Sequence, residues 1–175
     1  SVVFDIASAG GGEATVAPAS LTFTAANWNT PQTVTVTGIN DGVLIDGDQD
    51  SVITISINQG GSDNGFDALA NKTVTATTTD DDIPGFTVTE TGGSTQVSES
   101  GTTDTFTVVL TAQPTSNVVL TITSSDTGEA TVSSPLTFTN ANWNAAQTVT
   151  VAGVDDNLID GTVTGTITVS VDDAN

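Results

Sequence analysis

LTFTAANWNTPQTVTVTGIND, from Leu21 to Asp41, returns as LTFTNANWNAAQTVTVAGVDD from Leu136 to Asp156, with fifteen of the twenty-one positions identical. Trp143 stands 115 positions after Trp28. Gly12-Glu-Ala-Thr-Val16 recurs 116 positions on as Gly128-Glu-Ala-Thr-Val132, and Ile45-Asp46-Gly47 recurs 114 positions on as Ile159-Asp160-Gly161. The one-residue differences fall in the connecting loops, so the strand-like segments keep register. Self-similarity at a fixed period marks repeats of one folding unit, each about 115 residues long.

The expected division is 1–85 and 86–175, with Asp80-Asp81-Asp82-Ile83-Pro84-Gly85 as a short stiff linker. Both copies are expected to be partial. The first lacks the counterpart of 86–116, and the second stops before any counterpart of Lys72 to Asp82. There is no initiator Met, and Ser1 leads at once into Val2-Val3-Phe4. The chain therefore reads as a window of a longer polypeptide.

Outward from the repeated block, alternation with a period of two dominates. Phe106, Val108 and Leu110 alternate with Thr105, Thr107 and Val109; Ile53, Ile55 and Ile57 alternate with Thr54 and Ser56; Ile167, Val169 and Val171 alternate with Thr168 and Ser170. Each run buries one face, and the β-branched Thr suits the other. No segment has sustained helical spacing. Strands are expected near 86–91, 95–98, 104–112, 117–124, 129–132, 136–139, 147–153 and 164–172, the last strand of a repeat being a segment like 72–79. Short strands at this density predict an all-β chain of Ig-like antiparallel β-sandwiches in tandem. Trp28 and Trp143 each precede a strand within Asn-Trp-Asn. They are read as rings plugging the core, with a carbohydrate-stacking platform as the alternative.

Composition narrows function. The 175 residues hold 21 Asp and Glu against one cation, Lys72, for a formal charge of −20, with no His, Cys, Met or Tyr. Ser-His-Asp and thiol catalysis, structural zinc and disulfides are thereby excluded. Binding to nucleic acid or to an anionic lipid surface needs clustered Lys and Arg, so neither partner is expected. No apolar stretch approaches the roughly 18 residues of a membrane-spanning helix. A hydrophobic content of 36% placed at regular alternation indicates a folded chain rather than an acidic disordered tail.

Unless spread out, screened or bound to cations, so many carboxylates repel one another in a compact state. They gather at strand ends: Asp41, Asp46, Asp48 and Asp50 in one loop, Asp80, Asp81 and Asp82 after a strand, Glu99 in Val97-Ser-Glu-Ser-Gly101, and Asp155, Asp156 and Asp160 in the loop matching Asp41 to Asp46. Hard oxygens converging in a Gly-containing turn suit Ca²⁺, which accepts 6–8 ligands in flexible geometry. A solvated acidic loop has the same spacing and is the alternative.

The order Val97-Ser-Glu99-Ser-Gly101, Phe106-Thr-Val108-Val-Leu110, Pro114 and Val149-Thr-Val151, leading to Asp155-Asp156 and Asp160, resembles the Calx-beta domain of sodium/calcium exchangers, integrin β4 and many bacterial surface proteins. Thr77-Thr-Thr79 followed by Asp80-Asp81-Asp82 resembles that family's closing strand and acidic tail. The resemblance covers almost the whole chain, though each motif is degenerate and their order carries the match. It implies calcium ligands Glu99, Asp155, Asp156 and Asp160 in the second repeat, and Asp41, Asp46, Asp80, Asp81 and Asp82 in the first. Two departures stand out: Asn40 occupies the place of Asp155, and the Gly-Glu-Ala-Thr-Val segment is shorter than its exchanger equivalent and lacks that protein's acidic stretch.

The expected function is a non-catalytic structural or adhesive repeat of a large extracellular or cell-surface prokaryotic protein, stiffened by Ca²⁺ at domain ends. Its partners are neighbouring repeats of the same chain, or other copies in a fibre or surface layer. A glycoside hydrolase with paired carboxylates is disfavoured, because no Arg, Tyr or His stands by to orient a substrate. The alternatives are a carbohydrate- or protein-binding module using the tryptophans, and a subunit of a self-assembling extracellular fibre.

Overall fold

A computed structural model describes residues 1–9, 12–159 and 161–172. It divides into two compact units, Ser1–Gly42 with Asp46–Asp81 and Val43–Ile45 with Asp82–Asn175. Among the described residues there is no α-helix; the ordered elements are strands and two single 3-10 turns, Asn64–Phe66 and Thr91–Gly93. No helix is long and apolar enough to cross a membrane.

In the first unit the strands are β1 (Val2–Ala9), β2 (Ala14–Ala17), β3 (Ser20–Phe23), β4 (Thr35–Gly38), β6 (Gln49–Ile57) and β7 (Lys72–Thr78). β5 (Leu44–Ile45) belongs to the second unit, together with β8 (Phe86–Glu90), β9 (Thr103–Leu110), β10 (Gln113–Pro114), β11 (Val118–Ser124), β12 (Ala130–Val132), β13 (Leu136–Phe138), β14 (Gln147–Gly153) and β15 (Ile167–Val171). The first unit forms an antiparallel sheet in the order β3-β1-β6-β7 and an antiparallel pair β2-β4. The second forms antiparallel sheets β13-β11-β15 and β12-β14-β9-β8, with a two-residue parallel pairing of β5 and β10.

Equivalent segments of the repeat pair alike. β3-β1-β6 matches β13-β11-β15, and β2-β4 matches β12-β14. The differences lie at the edges. Among the described residues, no strand joins β4 where β9 and β8 continue from β14, and none joins β15 where β7 continues from β6.

The second unit's core draws one residue in two from four strands. Phe106, Val108 and Leu110 of β9, Leu120 and Ile122 of β11, Leu136 and Phe138 of β13, and Val149 and Val151 of β14 are all buried. Val149 lies directly opposite Phe106, so a cross-strand aromatic and β-branched pair anchors this ladder. Trp143 packs against the cluster, as the sequence led us to expect. Its repeat equivalent Trp28 does not: it is 71% exposed. The Trp143 carbonyl accepts from the Leu110 amide of β9 at 3.2 Å, and no counterpart of β9 lies beside Trp28 among the described residues.

Residues 95–98, expected as a strand, are not one. Side chains take the donors that a ladder would have bound: the Gln96 amide donates to Asp104 Oδ2 at 2.8 Å and the Ser98 amide to Thr102 Oγ1 at 2.8 Å. These polar caps hold the segment extended without a second strand.

Ser51, near the start of β6, is completely buried, and its hydroxyl has no hydrogen-bond partner. A buried hydroxyl left unsatisfied opposes folding by its desolvation cost. Ser51→Ala should therefore raise stability by about 1 kcal/mol, read as a higher urea midpoint at unchanged m-value. A lower midpoint would show that the hydroxyl is bonded in solution.

Candidate functional site

One end of the first unit gathers four strand ends. Ala14 opposite Gly38 is the last pair of the β2-β4 ladder, and Gln49 opposite Thr78 is the last pair of β6-β7. The Glu13 carbonyl ties the two together, accepting from the Ile39 amide at 2.8 Å and from Thr78 Oγ1 at 2.9 Å. Between them lies a cleft of about 20 Å³, lined on its acidic side by Glu13, Asp41, Asp46, Asp80 and Asp81. That is room for one water-sized particle.

The turn entering β6 shapes this cleft. Gly47 sits at φ +78°, a left-handed conformation that side chains disfavour, and its equivalent Gly161 has the same φ of +78°. This fold-back lets the Gly47 amide donate to Asp80 Oδ2 at 2.8 Å, while the Asp80 amide donates to Asp48 Oδ1 at 3.1 Å. Thr77 Oγ1 donates to Asp50 Oδ1 at 2.6 Å. Asp48, Asp50 and Asp80 thus act partly as staples between β6 and β7.

Four of the five acids expected in the first repeat therefore come to one place: Asp41, Asp46, Asp80 and Asp81. Asp82 does not line the cleft and falls within the second unit. Glu13 lines it and was missed as a candidate. A signal was present, since Gly-Glu-Ala-Thr-Val carries its Glu in both repeats, as Glu13 and Glu129.

In the second unit the expected residues are less concentrated. Glu99 lines a broad groove together with Glu90, Asp126 and Glu129, whereas Asp155 and Asp156 do not. Asp155 is exposed, and Asp156 Oδ1 accepts from the Leu158 amide at 2.7 Å in a local turn. Asp160 lies outside the described residues. The Glu99 loop nevertheless runs against the end of β14 that leads to Asp155: the Gly153 amide donates to the Thr102 carbonyl at 3.0 Å, and a β-carbon on Gly153 would collide with the Ser98 carbonyl.

The donor set is all oxygen, carboxylates and nearby carbonyls, which fits a hard cation such as Ca²⁺. Among the described residues no three acidic side chains stand close enough together to hold a metal ion as placed. The cleft's lining is of the oxygen-donor type that such an ion takes. Convergence of its carboxylates requires side-chain rotation, which the exposed positions of Asp41 and Asp81 leave open. No protein-family model matches the chain, and no curated protein matches it in sequence.

Two outcomes check this geometry. Gly153→Ala should cost about 1–3 kcal/mol by overpacking against backbone. Gly38→Ala should cost less, because its added carbon meets a side-chain methyl of Thr78 at 3.1 Å; equal losses in chemical denaturation would contradict the close approach at Gly153. Asp104, held below the ordinary carboxylate range by the Gln96 amide and then the Thr105 amide, bears on pH dependence. A carboxyl depressed in the folded state stabilises above its unfolded pKa, and that contribution fades as pH falls through the folded value. The stability gap between wild type and Asp104→Ala should accordingly narrow on acidification, and a pH-independent gap would refute the assignment.

Proposed function

We propose that this chain is a non-catalytic structural and adhesive module: tandem Calx-beta-like repeats, each an Ig-like antiparallel β-sandwich, within a large extracellular or cell-surface prokaryotic protein. Ca²⁺ at the domain ends stiffens it. The observation that carries this reading is the gathering of Glu13, Asp41, Asp46, Asp80 and Asp81 from four strand ends onto one small cleft. Those residues would hold the ion in the first repeat, with Glu99, Asp155, Asp156 and Asp160 as the set in the second. The ion's contribution is charge neutralisation, which removes repulsion among carboxylates on a chain of formal charge −20. The parallel between the two units' strand orders supports the repeat, and the absence from the sequence of His, Cys, Arg and Tyr supports a non-catalytic role.

A second reading rests on Trp28. An indole 71% exposed is free to stack on a sugar ring, which supports a carbohydrate-binding module. Quenching of Trp28 fluorescence by soluble glycans separates the two readings.

Binding of Ca²⁺ to the folded chain alone adds RT ln(1 + [Ca²⁺]/Kd), about 2.7 kcal/mol at a hundredfold excess over Kd. Melting temperature should rise in Ca²⁺ relative to chelator at matched ionic strength. Asp41→Asn should shrink that rise while leaving the chelated protein as stable or more so, since it removes one charge from a crowded cleft. Asp80→Ala should weaken the protein in both conditions, because Asp80 Oδ2 also accepts from the Gly47 amide. Identical melting of the wild type with and without Ca²⁺ would leave the acids as solvated loops.

A further inference from the structure

Asn-Gly and Asp-Gly pairs are open to attack by their own backbone, because glycine puts no β-carbon in the way of its amide nitrogen. That nitrogen is the nucleophile, and Cγ of the preceding side chain is the target. The chain contains four such pairs: Asp41-Gly42, Asp46-Gly47, Asn64-Gly65 and Asp160-Gly161. Asp160 lies outside the described residues. In the other three pairs the glycine amide is already held by a side chain. The Gly42 amide donates to Asn40 Oδ1, the Gly47 amide to Asp80 Oδ2 and the Gly65 amide to Asp63 Oδ1, each at 2.8 Å.

The acceptors arrive by different routes. Asn40 and Asp63 stand two residues before their glycines, whereas Asp80 lies 33 positions from Gly47. One turn type therefore does not account for all three contacts. The glycines are themselves required by the turns. Gly42 sits at φ +97° and Gly47 at φ +78°, and a β-carbon on Gly65 would stand 3.1 Å from Asp63 Oδ1. Each turn thus needs the residue that makes its pair reactive, and a fixed acceptor covers the reactive nitrogen.

Asn64-Gly65 is the chain's one Asn-Gly pair, and both residues are exposed in the loop between β6 and β7. The turn is pinned on both sides. The Phe66 amide donates to the Asp63 carbonyl at 2.9 Å, while Ser62 Oγ accepts from the Val3 amide at 2.9 Å and donates to the Val3 carbonyl at 3.1 Å. Attack on Asn64 requires the Gly65 nitrogen to give up its hydrogen and swing toward Cγ. Asp63 holds that hydrogen, and its negative charge disfavours an amide anion beside it.

We propose that Asn64 is a latent deamidation site, and Asp41 and Asp46 latent isomerisation sites, each kept closed by the side chain that holds the following glycine amide. When the turn opens, the Gly65 nitrogen bonds to Asn64 Cγ, the Cγ–Nδ2 bond breaks, and ammonia leaves with the Gly65 hydrogen. Water then opens the cyclic imide to aspartate or isoaspartate. At Asp41 and Asp46 the leaving group is water, which ring opening takes back, so mass is unchanged. The rate follows the population of the opened turn. Each event at Asn64 adds one negative charge to a loop that already carries Asp63 and Asp67.

The test incubates the whole chain in chelator at mildly alkaline pH, beside a free peptide of residues 60–68. Peptide mapping by mass spectrometry follows deamidation at Asn64 and isoaspartate at Asp41. The folded chain should deamidate more slowly than the peptide. Asp63→Ala should speed the reaction at Asn64 by about tenfold, through loss of a charge-assisted hydrogen bond, and leave Asp41 unchanged. Asp63→Asn keeps an acceptor oxygen and should stay nearer the wild-type rate. Asn40→Ala should show the reverse pattern, faster at Asp41 and unchanged at Asn64, and it decides the matter if Asp63→Ala does not fold. Deamidation of the folded chain as fast as the peptide, or a wild-type rate in Asp63→Ala, would overturn the proposal. So would acceleration at both pairs in either variant, which marks general loosening of the fold rather than removal of one cap.

Discussion

The pairing of β9 with β14 is the contact on which the better-packed half of this molecule depends. It sets Phe106 against Val149 and brings Val108 and Val151 into one buried cluster with Leu120 and Ile122 of β11 and Phe138 of β13. The first unit contains nearly the same β14-like sequence in β4 without a β9 beside it. The consequence is visible residue by residue: Val151 is 1% exposed while its counterpart Val36 is 38% exposed, and Trp143 packs on the core while Trp28 faces solvent. Identical local sequence thus yields buried or exposed apolar surface according to whether one further strand is present, because burial of a strand's face requires a second layer.

The charge of the chain imposes a second constraint. With twenty-one acids and one cation, carboxylates cannot be neutralised in pairs along the strands, and the paired segments are instead filled by Thr, Val, Ile and Ala. Many of the acids go to turns, where water screens them and where backbone amides engage them. Asp48 and Asp80 knit the end of β6 to the end of β7 in this way, and Asp104 holds the Glu99 loop. The same carboxylates therefore serve two physical ends, as acceptors for amides that a tight turn leaves unpaired and as the oxygen donors of the proposed cation cleft.

Among the described residues the outer strand of each sheet has one edge without a neighbour, β4 and β15 among them. Unpaired strand edges carry unsatisfied main-chain groups and attract other strands. Charged side chains on an edge strand discourage such pairing, yet β15 carries none, its sequence being Ile-Thr-Val-Ser-Val.

Much of the fold was legible in the sequence. Period-two alternation located the strands within a residue or two in most of the second unit, since a half-buried sheet requires alternation wherever it forms. Conservation of register between the two copies of the repeat placed the single-residue changes in loops. The Gly in both Ile-Asp-Gly turns marked the fold-back that a left-handed φ requires. Other features depended on contacts between segments far apart in the chain. Thr95 to Ser98 alternates like a strand, but its amides bind Asp104 and Thr102 side chains that only the folded loop brings near. Glu13 joined Asp41, Asp46, Asp80 and Asp81 because the β2-β4 and β6-β7 ladders end side by side, while Asp82, one residue further along, did not. Trp28 and Trp143 share a sequence motif and differ in burial through a neighbouring strand that neither encodes. The sequence by itself determined which residues would be extended and which would carry charge, because backbone preference and side-chain alternation are local. Which edges were paired, which rings were buried and which carboxylates met was decided by the tertiary structure, because pairing, burial and electrostatic proximity are properties of distance in space rather than along the chain.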